Sequence, residues 1–367
     1  LRILIACGGT GGHVYPALAI AGALRESHPA VELGFVGIKG GFEKPLVEGY
    51  GLPFHDYHEV RAGPFNGVNR LRQLRSLLDL VLGFLQSLWI ITRRRPDAIL
   101  MTGGWSGLPV ALAGWVWRVP QMVYLPDIEP ALTIRAVRPF TKLVALTTEA
   151  SRVFFPKNQT VVTGYPIRPT LLTATRAAGI AHFHLDPTLK TLLVMGGSRG
   201  ARAINNALLA ILPELLADGV QIIHVTGTLD WEDIRAKCES LPDATHYHAY
   251  PYLHEEIGLG LAAADLALSR AGASVLGEYP AFGLPAVLVP LTAWRFQRVN
   301  ADWLEMHGAA LRLDENRLEA GLLSTLRGIL GDEKRLWAMQ AAARALTIPD
   351  GAARAAAALA SMVKGEG

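Results

Sequence analysis

Short apolar runs alternate with stretches of helical patterning along the whole chain. The runs read as strands at Arg2–Cys7, Val31–Val36, Ala98–Met101, Gln121–Leu125, Lys142–Leu146 and Thr160–Thr163. A second series follows at Thr191–Met195, Gln221–Val225, His246–Ala249, Leu266–Leu268 and Ala286–Val289. Such alternation predicts parallel sheets with helices on both faces. The pattern restarts near Thr191, after a stretch holding Pro156, Pro166, Pro169 and Pro187, so the 367 residues read as two α/β halves.

Composition narrows the classes. At 50% hydrophobic and 18% charged, the chain is too apolar for disorder. Its net charge of +3 is too mild to mark a nucleic-acid binder, and no nucleic-acid partner is expected. Two cysteines, Cys7 and Cys238, with no C-x-x-C spacing give neither a disulfide framework nor a zinc site. The reading is a reducing, cytoplasmic setting without a signal peptide. The longest apolar run, Ser76–Ile91, is interrupted by Asp79 and Gln86. It falls short of the roughly 18–20 residues that cross a bilayer, so no transmembrane helix is expected.

Three small-residue turns stand where a strand gives way to a helix. Ligands of open parallel sheets bind beyond the carboxyl ends of the strands. Gly8-Gly9-Thr10-Gly11-Gly12-His13 follows the first run. Its glycines let a ligand approach the backbone, and free N–H groups at a helix start favour an anion. No Gly-Lys-Ser/Thr follows, and the G-x-G-x-x-G spacing fails at Val14. Gly37-Ile38-Lys39 ends the second run without the acid that a dinucleotide site uses for its ribose. The other turns are Gly196-Gly197-Ser198-Arg199-Gly200-Ala201-Arg202 and Ser269-Arg270-Ala271-Gly272-Ala273-Ser274, the latter opening a helix expected to reach Ala281. Two such starts in one half can converge on a diphosphate. Glu278, a turn past Ser274, can accept from both hydroxyls of a ribose.

Residues 70–95 carry a separate signal. Leu71, Leu74, Leu78, Leu82, Leu85 and Trp89 recur at helical spacing, flanked by Arg70, Arg72, Arg75 and Arg93-Arg94-Arg95. An apolar stripe with basic flanks fits an anionic membrane surface, with Trp115 and Trp117 as added interfacial aromatics. The competing reading is a helix packed on its sheet.

The motifs together resemble the MurG family of peptidoglycan glycosyltransferases. The resemblance rests on Gly8 to Ala19, Gly103-Gly104-Trp105-Ser106-Gly107-Leu108-Pro109, Gly164-Tyr165-Pro166-Ile167-Arg168, Gly196 to Asn205, Ser269 to Ala286 and Gln297-Arg298-Val299-Asn300-Ala301, in family order. It implies a GT-B fold, with two Rossmann-like domains whose parallel sheets face an interdomain cleft. The expected layout is an acceptor and membrane domain over 1–165, a UDP-sugar domain over 166–350, and a closing helix over 351–367 crossing back to the first domain.

The resemblance implies an inverting transfer of N-acetylglucosamine from UDP-GlcNAc to undecaprenyl-linked lipid I, without metal or other cofactor, by an enzyme on the inner face of the cell membrane. Carried over by position, Ser198 contacts the donor's α-phosphate, and Ala273, Ser274 and Val275 line the uridine and phosphate site. Leu253 packs on the uracil, Glu278 holds the ribose, Gln297 meets sugar hydroxyls, and Arg168 lies near the donor. Thr10, Gly11 and Gly12 serve donor and acceptor phosphates, and Trp105 keeps the family's aromatic face. The family's His-Glu-Gln-Asn run is replaced by Tyr124-Leu125-Pro126-Asp127 and Ile128-Glu129-Pro130. Asp127 then takes the place of an asparagine that contacts the donor sugar, and it can accept but not donate a hydrogen bond. One amide of a Gln-Gln pair is lost to Phe296. His13 is the candidate general base and Glu129 the alternative. Another UDP-sugar or lipid acceptor, a UDP-GlcNAc 2-epimerase and a non-catalytic UDP-sugar-binding relative are the competing readings.

Overall fold

A computed structural model describes residues 1–9, 11–63, 69–197, 200–239 and 245–364. The chain forms two compact units, Leu1–Arg168 with Ile348–Gly367, and Pro169–Thr347.

The first unit holds strands β1 (Arg2–Cys7), β2 (Glu32–Ile38), β3 (Asp56–Val60), β4 (Ala98–Gly103), β5 (Gln121–Leu125), β6 (Leu143–Leu146) and β7 (Thr160–Val162). They form one parallel sheet in the order β3-β2-β1-β4-β5-β6-β7. The second unit holds β8 (Lys190–Met195), β9 (Val220–Val225), β10 (Tyr247–Tyr250), β11 (Leu266–Ser269), β12 (Ala286–Leu288) and β13 (Ala310–Arg312), parallel in the order β10-β9-β8-β11-β12-β13. Strand order reverses between β1 and β4 in one sheet and between β8 and β11 in the other. These are the switch points where such sheets open a crevice for ligand. The glycine-rich turns follow β1, β4, β8 and β11 and so meet at them in pairs.

Two strands, β3 and β13, lie outside the runs read as strands. Both are sheet edges. β3, Asp-Tyr-His-Glu-Val, is polar because only one neighbour covers it, and β13 has three residues. Neither carries the continuous apolar run that marks a central parallel strand.

The chain leaves the first unit and returns to it at one crossing. An ideal Cβ on Gly164 would stand 2.9 Å from Cβ of Ile348, and one on Gly351 would collide with the Tyr165 carbonyl. Gly164 also has φ +87°. The closing helix Gly351–Lys364 then buries Ala355, Ala356 and Leu359 in the core shared with Val14, Leu18 and Ala21 of the helix Gly11–Ser27.

The helix Arg70–Arg94 is capped by Asn69, whose side chain accepts from the Arg72 N–H. At 25 residues it is, by length and composition, long and apolar enough to cross a membrane, contrary to the expectation from Ser76–Ile91 alone. Its packing is inverted relative to an ordinary surface helix. It buries Ser76, Gly83, Ser87, Ile90 and Ile91, and exposes Leu71 (78%), Leu78 (60%) and Trp89 (58%). A Cβ on Gly83 would strike the Arg61 carbonyl, so the small residues allow a close backbone approach. Asp79 and Gln86, the two interruptions, both bond to Arg61: Arg61 Nη1 reaches Asp79 Oδ1 at 3.5 Å and Arg61 N–H donates to Gln86 Oε1 at 2.9 Å. The basic flank is smaller than expected, because Arg94 pairs with Asp56 at 2.5 Å.

Candidate active site

At the first switch point the turn after β1 is built against the turn after β4. Gly8 N–H donates to the Gly103 carbonyl at 3.2 Å. A Cβ on Gly104 (φ +86°) would collide with the Gly8 backbone, and one on Gly103 (φ +124°) would stand 2.6 Å from His13 Cδ2. Gly103 and Gly104 thus admit the His13 ring and the Gly8 backbone. Gly11, Gly12 and His13 open the helix Gly11–Ser27 and are half-buried. Thr10 lies outside the described residues.

His13 is held at both backbone and ring. Thr102 Oγ1 donates to its carbonyl at 2.8 Å, and its Nδ1 stands 3.2 Å from the Gly8 carbonyl oxygen. A carbonyl only accepts, so Nδ1 carries the hydrogen and Nε2 is the nitrogen that can take a proton. Burial lowers the imidazole pKa below its ordinary value; the Asp127 carboxylate and then the Gly8 carbonyl act in the opposite direction. The structure thus sets Asp127 within electrostatic reach of His13. Glu129 is buried and its Oε1 accepts from Arg135 Nη2 at 3.0 Å. That partner gives Glu129 a place in the loop's own packing, and His13 is the better candidate base. Trp105 is half-buried in the turn after β4. The Arg168 guanidinium lies 4.5 Å from the ring centroid of Tyr15, a cation–π stack beside the same turn.

At the second switch point the turns after β8 and β11 are braced from below and open above. Gly200 packs against the Thr226 carbonyl, while a Cβ on Gly197 (φ +90°) or on Gly272 would meet nothing within 4 Å among the described residues. The helix Arg202–Ala217 starts at Ala201 without a side-chain cap, leaving N–H groups for an anion. A polar chain that runs from exposed Arg202 inward to buried Asp230, Asn205 and His224 anchors that start. Arg202 Nη2 donates to Asp230 Oδ1 at 2.6 Å, Asn205 Nδ2 donates to Asp230 Oδ2 at 3.0 Å, and His224 Nε2 stands 3.0 Å from Asn205 Oδ1. Burial pulls His224 down to about 3, so it stays neutral in this chain. Asn300 Nδ2 donates to the Ala271 carbonyl at 3.1 Å and Arg270 pairs with Glu315 at 2.6 Å, fixing the turn after β11.

The helix expected to run from Ser274 to Ala281 is two pieces, a 3-10 turn Ala273–Leu276 and a helix Glu278–Phe282, broken at Gly277. The break puts Glu278 in the first turn of the second piece. Ala273 and Ser274 are half-buried, while Val275 and Leu253 are buried. Gln297 Oε1 accepts from the Leu291 N–H at 3.0 Å, which leaves its amide nitrogen to donate. Ser198 lies outside the described residues.

Residues 3–144 match the glycosyltransferase family 28 N-terminal domain, and residues 191–355 match the glycosyltransferase family 28 C-terminal domain. A Roseiflexus sp. (strain RS-1) protein is 38% identical over 99% of this chain and 95% of its own length. The chain belongs to glycosyltransferase family 28. That relative is named UDP-N-acetylglucosamine–N-acetylmuramyl-(pentapeptide) pyrophosphoryl-undecaprenol N-acetylglucosamine transferase. Among solved structures, Acinetobacter baumannii MurG has a TM-score of 0.77 at 22% identity, covering 98% of this chain and 99% of that one. A putative UDP-N-acetylglucosamine 2-epimerase from Listeria monocytogenes has a TM-score of 0.72 at 12% identity, covering 99% and 97%. The fold is thus common to transferases and epimerases, and sequence places the chain with the hexosyltransferases of family 28.

Asn205, Asp230 and Asn300 brace the turns of this family 28 enzyme; Asn205 and Asn300 stand inside motifs, whereas nothing in the sequence singled out Asp230.

Proposed function

We propose that the enzyme transfers N-acetylglucosamine from UDP-GlcNAc to undecaprenyl-diphospho-N-acetylmuramyl-peptide, with inversion at the anomeric carbon. The observation that carries this reading is the pair of open glycines, Gly197 and Gly272, on the turns of neighbouring strands β8 and β11 in a family 28 chain. They leave room for a diphosphate against N–H groups. Glu278 would hold the ribose, Leu253 and Val275 the uracil side, and Ser198, Ala273 and Ser274 the phosphates. His13 Nε2 would take the proton of the acceptor hydroxyl as that oxygen attacks. The turns and Arg168 would stabilise the departing UDP, and Gln297 and Asp127 would meet sugar hydroxyls. Gly11, Gly12 and Thr10 would face the acceptor diphosphate beside Trp105.

The exposed face of Arg70–Arg94, with Arg70, Arg72, Arg75, Arg93 and Arg95, would lie on anionic lipid at the inner surface of the membrane, where the acceptor resides. The inverted burial of that helix supports this. A test is transfer of labelled sugar into a butanol-extractable lipid, with UDP-GlcNAc, UDP-GalNAc and UDP-glucose offered in turn. Labelling from UDP-GlcNAc alone is expected. Preference for another donor would trace to Asp127 and overturn the donor assignment.

A further inference from the structure

Glu43 is a carboxylate sealed inside the first unit, 1% exposed, 34 residues from the turn it touches. Its Oε1 accepts the Gly9 N–H at 3.0 Å. Its Oε2 is buried with no hydrogen-bond partner among the described residues. The surrounding backbone is shaped to admit it. A Cβ on Gly8 would stand 2.6 Å from Oε1, and one on Gly41 would collide with Oε2. A buried carboxylate with so little compensation is costly to keep.

The N–H it holds and the carbonyl that holds His13 belong to one peptide group. Gly9 N–H faces Glu43, and Gly8 C=O faces His13 Nδ1. No peptide in the described chain is cis, so the two groups lie in the peptide plane and point in opposite directions. Hydrogen bonds in such a chain polarise one another. A carboxylate pulling on the N–H makes the carbonyl a better acceptor and fixes the peptide's orientation.

We propose that Glu43 is a positioning residue for His13, acting through the Gly8–Gly9 peptide: it holds the imidazole as the Nδ1–H tautomer with Nε2 directed to the substrate. The role rests on reading His13 as the base, and the tests keep the two apart. The first needs no turnover. Nitrogen-15 spectra of the His13 ring should show the Nδ1–H tautomer in the native chain and in Glu43→Gln, whose amide oxygen still accepts. Glu43→Ala should give a mixture of tautomers. An unchanged ring spectrum in Glu43→Ala would overturn the proposal.

The second is a cycle of Glu43→Ala with His13→Ala, read in kcat at saturating UDP-GlcNAc. Glu43→Ala alone should lose about tenfold or more, part of the 10²–10⁴ that a general base supplies, and should lose almost nothing further when His13 is already alanine. Equal losses in both backgrounds would make Glu43 a general prop of the fold and sink the link to His13. Full turnover by His13→Ala would instead refute the base assignment itself. Should Glu43→Ala fail to fold, Glu43→Gln against Glu43→Leu in the ring spectrum decides the same question.

Discussion

His13 and Asp127 set the pH behaviour of the first turn. Burial holds the imidazole below its usual value, so it is neutral and able to accept a proton at pH 7. Protonation abolishes that capacity, so kcat/KM should fall as pH drops through the lowered value, with its acid limb below about pH 6.5, the unperturbed histidine value. The Asp127 charge pushes the other way, and Asp127→Asn should move the limb to still lower pH. A limb that stays put would remove Asp127 from the electrostatics of His13. Glu278→Gln should weaken UDP binding by about tenfold, the loss of one charged hydrogen bond at ~1.5 kcal/mol, which titration calorimetry reads directly. At this scale His13 and Glu278 could be proposed from the sequence because each stands on or just past a small-residue turn after an apolar run. Glu43 could not, since its meaning comes from Gly8 and Gly41, brought together by the pairing of β1 with β2 and the loop that follows.

The helix Arg70–Arg94 was half legible. Its stripe of Leu71, Leu74, Leu78, Leu82, Leu85 and Trp89 was visible as a period, but a period does not say which side faces protein. The structure puts Ser76, Gly83 and Ser87 inward, where a Leu would hold the backbones apart. Arg94, counted with the basic flank, was claimed by Asp56 of β3, a strand too polar to be read. Replacing Leu78 and Leu82 with glutamate should abolish co-sedimentation with phosphatidylglycerol vesicles while UDP binding stays intact, because both side chains are exposed. Retained vesicle binding would remove this face from any membrane role.

At the scale of the whole chain, the two parallel sheets were legible because their central strands are buried on both sides and therefore apolar throughout. The join was less so. The first unit extends to Arg168 and regains the chain at Ile348, through glycines whose purpose is the crossing. Leu359, fully buried from the far end of the sequence, should cost about 2–5 kcal/mol on change to alanine, seen as a lower denaturation midpoint. The most direct test of the function is UDP release from UDP-GlcNAc by the purified chain, in EDTA, with and without a lipid-linked N-acetylmuramyl-pentapeptide acceptor. Release should depend on the acceptor, survive EDTA and fall about 10²–10⁴-fold in His13→Ala. UDP-GlcNAc binding with no acceptor-dependent release would contradict this function.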